Sequence, residues 1–214
     1  IQPAPAGRRL AFVHDRALWS GDLDGAKPQR VSAEPEDGIS HGTAEFVAQE
    51  EFARDTGFWW RPDGGAIAYT RVDERPVMMA RRIEMDAQGP RIVEQRFPRT
   101  GTANAIVSLL VRMLDDEREV TVDLGTDPDV YLVRVNWSLD GQTLFVQRQS
   151  RDQRCLDLLA ADPQTGRTHL VLREAREPWV NPNLDFRPLS DGGFLWVSER
   201  SGTNQLYRYG PDGR

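Results

Sequence analysis

Short apolar runs separated by turns rich in Gly, Asp and Pro make up most of this chain. Leu10-Ala11-Phe12-Val13, Ala66-Ile67-Ala68-Tyr69, Leu144-Phe145-Val146 and Phe194-Leu195-Trp196-Val197 read as buried β-strands. Each follows a turn, and the combination recurs: Ala6-Gly7 before the first run, Trp60-Arg61-Pro62-Asp63-Gly64 before the second, Trp137-Ser138-Leu139-Asp140-Gly141 before the third and Phe186 to Asp191-Gly192 before the fourth. Further strands are expected at Ala17-Leu18-Trp19-Ser20, Arg30-Val31-Ser32 and over residues 77–83, 105–114, 119–124 and 131–135, with Asp115-Asp116-Glu117 as a hairpin turn. Asp157-Leu158-Leu159 and His169-Leu170-Val171-Leu172 flank the turn Asp162 to Gly166. A unit that recurs in this way buries its apolar face only against its neighbours, so several must stack. The irregular spacing of Gly7, Gly64, Gly141 and Gly192 suits blades with variable loops and not a regular solenoid. The pattern therefore predicts an all-β fold, a partial β-propeller of about three to four blades of antiparallel strands, forming one domain over residues 1–214.

One segment departs from this rhythm. The first half of the stretch from Glu45 to Tyr69 reads as a short helix, with Phe46, Val47 and Phe52 on its apolar side and Gly57 as the expected terminator. The helix carries two adjacent glutamates, Glu50 and Glu51, and is followed at once by the cluster Phe58-Trp59-Trp60. Neighbouring helical residues point about 100° apart, so two such carboxylates converge on one ligand only at a short or irregular helix end. Solvated glutamates on an exposed turn are the ordinary alternative. Phe58, Trp59 and Trp60 fit either the wall of a cavity or, more in keeping with the fold, its core. Arg54 and Asp55 fit either support for the glutamates or a surface pair.

Composition narrows the chemistry. With 39% hydrophobic and 28% charged residues the 214-residue chain has the balance of a globular domain. A net charge of −6 with interspersed Lys and Arg gives no basic stripe, so nucleic acid is not an expected partner. No apolar run is long enough to span a membrane, and no leader peptide is expected within this stretch. The lone Cys155 excludes an internal disulfide and reads as a small hydrophobe in a strand. His14, His41 and His169 lie at no metal-ligand spacing, so neither a metal nor an organic cofactor is expected. Gly38-Ile39-Ser40-His41-Gly42 fits the G-x-S-x-G pattern, but a nucleophile elbow needs a buried strand before it, whereas residues 32–37 are polar. Ser40 is accordingly expected in a Gly-rich loop entering the helix.

The runs Glu45-Phe46-Val47, Gln49-Glu50-Glu51-Phe52, Thr56-Gly57-Phe58-Trp59-Trp60 and Pro62-Asp63 resemble the double-glutamate segment of the dipeptidyl peptidase IV family of serine exopeptidases. Phe97 to Gly101, Trp179-Val180-Asn181, Ser198 to Gly202 and Leu206-Tyr207 extend the resemblance, in the family's order, along almost the whole chain. It covers the family's N-terminal propeller only. The α/β-hydrolase domain, with its serine, aspartate and histidine, is expected beyond Arg214, so no catalytic residue is expected in this chain and the region alone is expected to be inactive.

The resemblance implies that Glu50 and Glu51 hold the α-ammonium of peptides with a free N-terminus, and that the parent releases N-terminal X-Pro or X-Ala dipeptides. It also implies a periplasmic or secreted parent, able to form homodimers chiefly through its hydrolase domain. The family's carbonyl-binding arginine lies upstream of the double glutamate, and no residue here is assigned to it. A non-catalytic propeller serving as a binding or scaffold module is the rival expectation. It would share the repeats but has no need of both QEEF and TGFWW. A glycosidase is disfavoured, since adjacent carboxyls do not flank a sugar bond at about 5 Å or more.

Overall fold

The computed structural model describes residues 1–5, 7–25 and 27–214, so Ala6 of the first expected turn lies outside the described residues. The chain builds one antiparallel sheet after another. The first contains β1 (Gln2–Pro3), β2 (Arg9–His14), β3 (Ala17–Asp22) and β4 (Gln29–Arg30), in that order. The second begins with β5 (Ile39–His41), α1 (Phe46–Phe52), the single helix among the described residues, and β6 (Phe58–Trp60). It continues with β7 (Ala66–Asp73), leaves the sheet for the hairpin β8 (Met79–Asp86) and β9 (Gly89–Arg96), and returns through β10 (Ile106–Met113) and β11 (Glu119–Thr121). Its strand order is β11-β10-β7-β5, with β6 also paired to β7. The third sheet is the meander β12 (Val130–Trp137), β13 (Leu144–Ser150), β14 (Cys155–Ala161) and β15 (Thr168–Ala175). The last contains β16 (Arg187–Pro188), β17 (Phe194–Ser198) and β18 (Gln205–Tyr209).

The recurring turns seen in the sequence occupy one structural position, the first hairpin of each sheet. Gly64, Gly141 and Gly192 take φ of 73°, 69° and 83° there, a left-handed conformation that glycine adopts without steric penalty.

The sheets stack through three apolar layers. Ala11 and Leu18 of the first sheet meet Phe58, Trp60, Ile67 and Tyr69 of the second. The other face of the second sheet, with Ala66, Ala68, Leu109 and Val111, packs on Leu132, Leu144, Val146 and Leu159 of the third. The third sheet's remaining face, with Tyr131, Val133, Phe145 and Leu158, packs on Phe186, Phe194 and Trp196 of the fourth and on Ala48 and Phe52 of α1. Sheets two and three are thus covered on both faces, which is why β7 and β14 are apolar almost continuously instead of alternating. The architecture is that of successive propeller blades, as the repeats predict.

Polar ties join neighbouring blades. The Trp137 indole donates to the Trp59 carbonyl at 3.0 Å, and the Asp123 amide donates to the Gly166 carbonyl at 2.8 Å. Buried Gln147 and Gln149 donate to the carbonyls of Asn183 and Val180 at 2.9 and 2.7 Å, holding the segment that leads into the fourth blade. The β8–β9 hairpin forms a sheet of its own, exposing Ile83, Met85 and Ile92. β9 was not anticipated from the sequence, because its charged residues follow neither strand nor helix period clearly. Among the described residues no helix is long and apolar enough to cross a membrane.

Candidate functional site

The acidic helix sits on a loop whose two ends are fastened to one point. Gly57 donates its amide to the Gly42 carbonyl at 3.2 Å, and Gly42 donates to the Thr70 carbonyl at 2.8 Å. Thr43 and Thr56 form an isolated antiparallel bridge. Thr70, on the central strand β7, completes the base, its hydroxyl lying 2.6 Å from the Thr43 carbonyl and 3.2 Å from that of Gly57. Residues 42–57 are therefore carried on β7 of the second blade.

The expectation that Gly57 terminates the helix is corrected. α1 ends five residues earlier, at Phe52, and Ala53 takes the left-handed C-cap conformation (φ 46°). Gly57 serves a different purpose, close approach: a Cβ there would lie 2.2 Å from the Thr43 carbonyl oxygen. Gly57→Ala should accordingly cost about 1–3 kcal/mol through overpacking. It should also loosen the loop base, read as a lower denaturation midpoint and faster hydrogen exchange at the Gly57 and Thr70 amides. Unchanged values for both would show that the base yields freely.

Within the loop, Ala48 and Phe52, four residues apart on one stripe, face the core. Phe46 is not in that core; its ring meets Phe97 edge-on at a centroid distance of 4.9 Å. Glu50 and Glu51 fall on the exposed side, in the last turn before Phe52. Neither has an ion-pair partner among the described residues.

Arg54 is buried and bonded to Glu45, Nη2 to Oε2, at 2.8 Å, so it does not form a surface pair with the exposed Asp55. Its Nη1 donates to the Thr56 carbonyl at 3.1 Å, and its guanidinium lies 5.9 Å from the Trp59 ring. Burial lowers the Arg54 pKa from its usual value, and Glu45 offsets part of that effect. Glu45 occupies the N-cap position of α1 without capping it; its carboxylate is turned to Arg54 instead, staking the two ends of the helical segment together.

Phe58 and Trp60 lie in the layer between the first two blades, and Trp59 is half-buried against the third. These aromatics belong to the core between blades and, among the described residues, do not wall a cavity beside the glutamates. Ser40 and His41 lie on β5, whose partner is β7. Ser40 shares a hydrogen bond of 2.7 Å with the Thr43 hydroxyl. His41 is 3% exposed, and burial followed by the nearby Arg71 charge lowers its pKa. Cys155 opens β14 as a free thiol.

A cavity of about 660 Å³ lies elsewhere, between β15 and the β17–β18 hairpin, lined by Trp179, Asn183 and Glu199 among others and not by α1. Two residues that hold the loop escaped the sequence: Thr70, hidden within an apolar strand, and Arg134, which bonds to the Phe52 carbonyl from β12. Neither carries a local signal, because each acts on a segment distant in the chain.

This arrangement presents two unpaired carboxylates, from consecutive residues in the last turn of a short helix, on a loop with a braced base. The family described as "Dipeptidyl peptidase IV (DPP IV) N-terminal region" matches residues 1–214. The chain is 26% identical to dipeptidyl peptidase 8 of Mus musculus over 183 residues, covering 72% of this chain and 20% of that protein. It is 26% identical to a protein of Emericella nidulans named probable dipeptidyl peptidase 4, over 98% of this chain and 30% of the relative. The crystal structure of Porphyromonas gingivalis dipeptidyl peptidase 4 superposes with a TM-score of 0.89 at 26% identity, covering 98% of this chain and 30% of that one. The chain thus spans between 20% and 30% of the length of these proteins. A match along the entire chain, together with blades that superpose on a solved relative, places it in the family of dipeptidyl peptidase IV N-terminal regions.

Proposed function

We propose that this region recognises the substrate N-terminus in a serine-type dipeptidyl peptidase that releases X-Pro or X-Ala dipeptides. Glu50 and Glu51 accept hydrogen bonds from the α-ammonium of the peptide. The observation that carries this function is the pair of exposed, unpaired carboxylates in the last turn of α1, on a loop pinned at its base. A peptide ammonium has a reference pKa of about 7.7–8.0 and three donors, so it is mostly charged at neutral pH. Two carboxylates can take two of those donors through charge-assisted bonds of about 2.7–2.9 Å. Fixing the ammonium sets how far the chain reaches, so that cleavage falls after the second residue.

In this account the serine, aspartate and histidine come from an α/β-hydrolase domain of the same polypeptide, and no metal or organic cofactor takes part. The parent resides in the periplasm or is secreted, and its homodimers, where formed, use the hydrolase domain.

The test is release of chromophore from a Gly-Pro-chromophore substrate by the intact polypeptide that contains this region. The expected result is turnover that stops with a serine-directed inhibitor. Absence of turnover in folded intact protein would transfer the region to the rival class, a non-catalytic binding propeller.

A further inference from the structure

The last turn of α1 contains two carboxylates and no basic residue. A helix C-terminus already carries orphan carbonyls and partial negative charge, so acidic side chains there are disfavoured unless a cation is supplied. The cation comes from the third blade. β12 is bulged, its register to β13 slipping between Leu132 and Arg134. A bulge leaves a residue unpaired and re-aims the adjacent side chain. Arg134 donates from Nη1 to the Val133 carbonyl at 2.7 Å and from Nη2 to the carbonyl of Phe52, the last residue of α1. The same strand supplies Tyr131, whose ring meets that of Phe52 edge-on at 5.4 Å. Phe52 is therefore held through its carbonyl and its side chain by a blade other than the one that carries the loop.

This contact is held against an electrostatic cost. Burial, followed by the nearby Arg54 charge, lowers the Arg134 pKa from its usual value. Arg54 is paired with Glu45, while Arg134 has no carboxylate partner among the described residues. Two guanidiniums balanced by one buried carboxylate leave a positive excess at the end of the helix that presents Glu50 and Glu51.

We propose that Arg134 is a positioning residue for the acidic pair: it ties the C-terminal carbonyl of α1 to the third blade and fixes the direction in which Glu50 and Glu51 meet a substrate ammonium. The inference rests on the ammonium clamp proposed above.

The experiment measures kcat/KM of the intact enzyme for Ala-Pro-chromophore and for its des-amino analogue, propionyl-Pro-chromophore. Arg134→Met should reduce the preference for the free amine by about tenfold, through a raised KM for the amine substrate, with the des-amino rate kept within about twofold. Arg134→Lys, which keeps the charge but not the forked geometry, should lose about threefold. Leu159→Ala, a core change on β14, two strands away from β12, serves as a control for stability loss and should keep the wild-type preference. An unchanged preference in Arg134→Met, or an equal loss in Leu159→Ala, overturns the proposal. If Arg134→Met does not fold, Arg134→Lys decides, and a wild-type preference there overturns the proposal as well. Glu50→Ala and Glu51→Ala measured alongside separate the two claims. If they keep the preference, the clamp itself fails; if they lose it while both arginine variants keep it, only the role of Arg134 fails.

Discussion

Alanine at Glu50 or at Glu51 is expected to lower kcat/KM on free-amine dipeptide-chromophore substrates by at least about tenfold, since truncating one partner of a desolvated charge pair typically costs about 2–5 kcal/mol. The low end of that range is expected, because both side chains are exposed in the free protein and must be desolvated when the ammonium binds. For the same reason stability should change little, within about 0.5 kcal/mol, as for other exposed positions. The loss should be specific to the amine: des-amino or N-acylated substrates, already poor, should be affected far less. Glutamine in place of either glutamate keeps an acceptor oxygen but not the charge, and should fall between wild type and alanine. Near-wild-type turnover in both alanine variants would remove the clamp from this account.

The largest stability effect is expected at Asp157. This aspartate is 4% exposed and lies between two arginines on adjacent strands, in the register Arg148–Asp157–Arg173. Arg148 bonds to it at 2.6 Å, and Arg173 at 2.6 and 3.0 Å. Burial opposes its ionisation, but the hydrogen bonds from Arg173 and Arg148 outweigh burial and hold its pKa below the usual carboxylate value. Asp157→Ala leaves two guanidiniums facing each other across β14. Removing one partner of a buried pair costs about 3–5 kcal/mol, and the half-exposed Arg173 argues for the lower bound. A loss of about 3 kcal/mol corresponds to a fall of about 6–12 °C in the melting of a domain of this size. The sign of the pH dependence follows from the lowered pKa. The stabilisation is complete above the unfolded value of about 3.9 and is lost as pH falls through the folded value. Asp157→Ala should therefore flatten the acid limb of the stability profile, and an unchanged melting temperature would contradict the ion-pair account.

The blades were legible because their signal is local. Trp137 to Gly141 and Phe186 to Gly192 each compress an aromatic, a turn glycine and the start of a strand into a few residues, and the structure places them in the same hairpin of successive sheets. The helix was legible from Phe52 and from the break in strand period. Its end was not: Gly57 has the composition of a terminator, but Ala53 takes the left-handed conformation, because Gly57 is needed where the chain crosses Thr43. The support of the site was hidden for a related reason. Arg54 has Asp55 as its sequence neighbour but is buried against Glu45 from the other end of the helix. Thr70 and Arg134 reach the loop across strand pairings that no local pattern encodes. The β8–β9 hairpin was half seen, since Met79 to Ile83 alternates weakly while β9 presents charge on an exposed ribbon.

The central claim is that Glu50 and Glu51 read a free peptide amine, and calorimetric titration of the intact protein, with the serine of its hydrolase domain replaced by alanine so that no peptide is cleaved, with Ala-Pro-X peptides, free or N-acetylated, tests it most directly. The account predicts that the free-amine peptide binds at least about tenfold more tightly, a difference of about 1.4 kcal/mol, and that Glu50→Ala abolishes the difference. Equal affinity for the two peptides in the wild-type protein would contradict it.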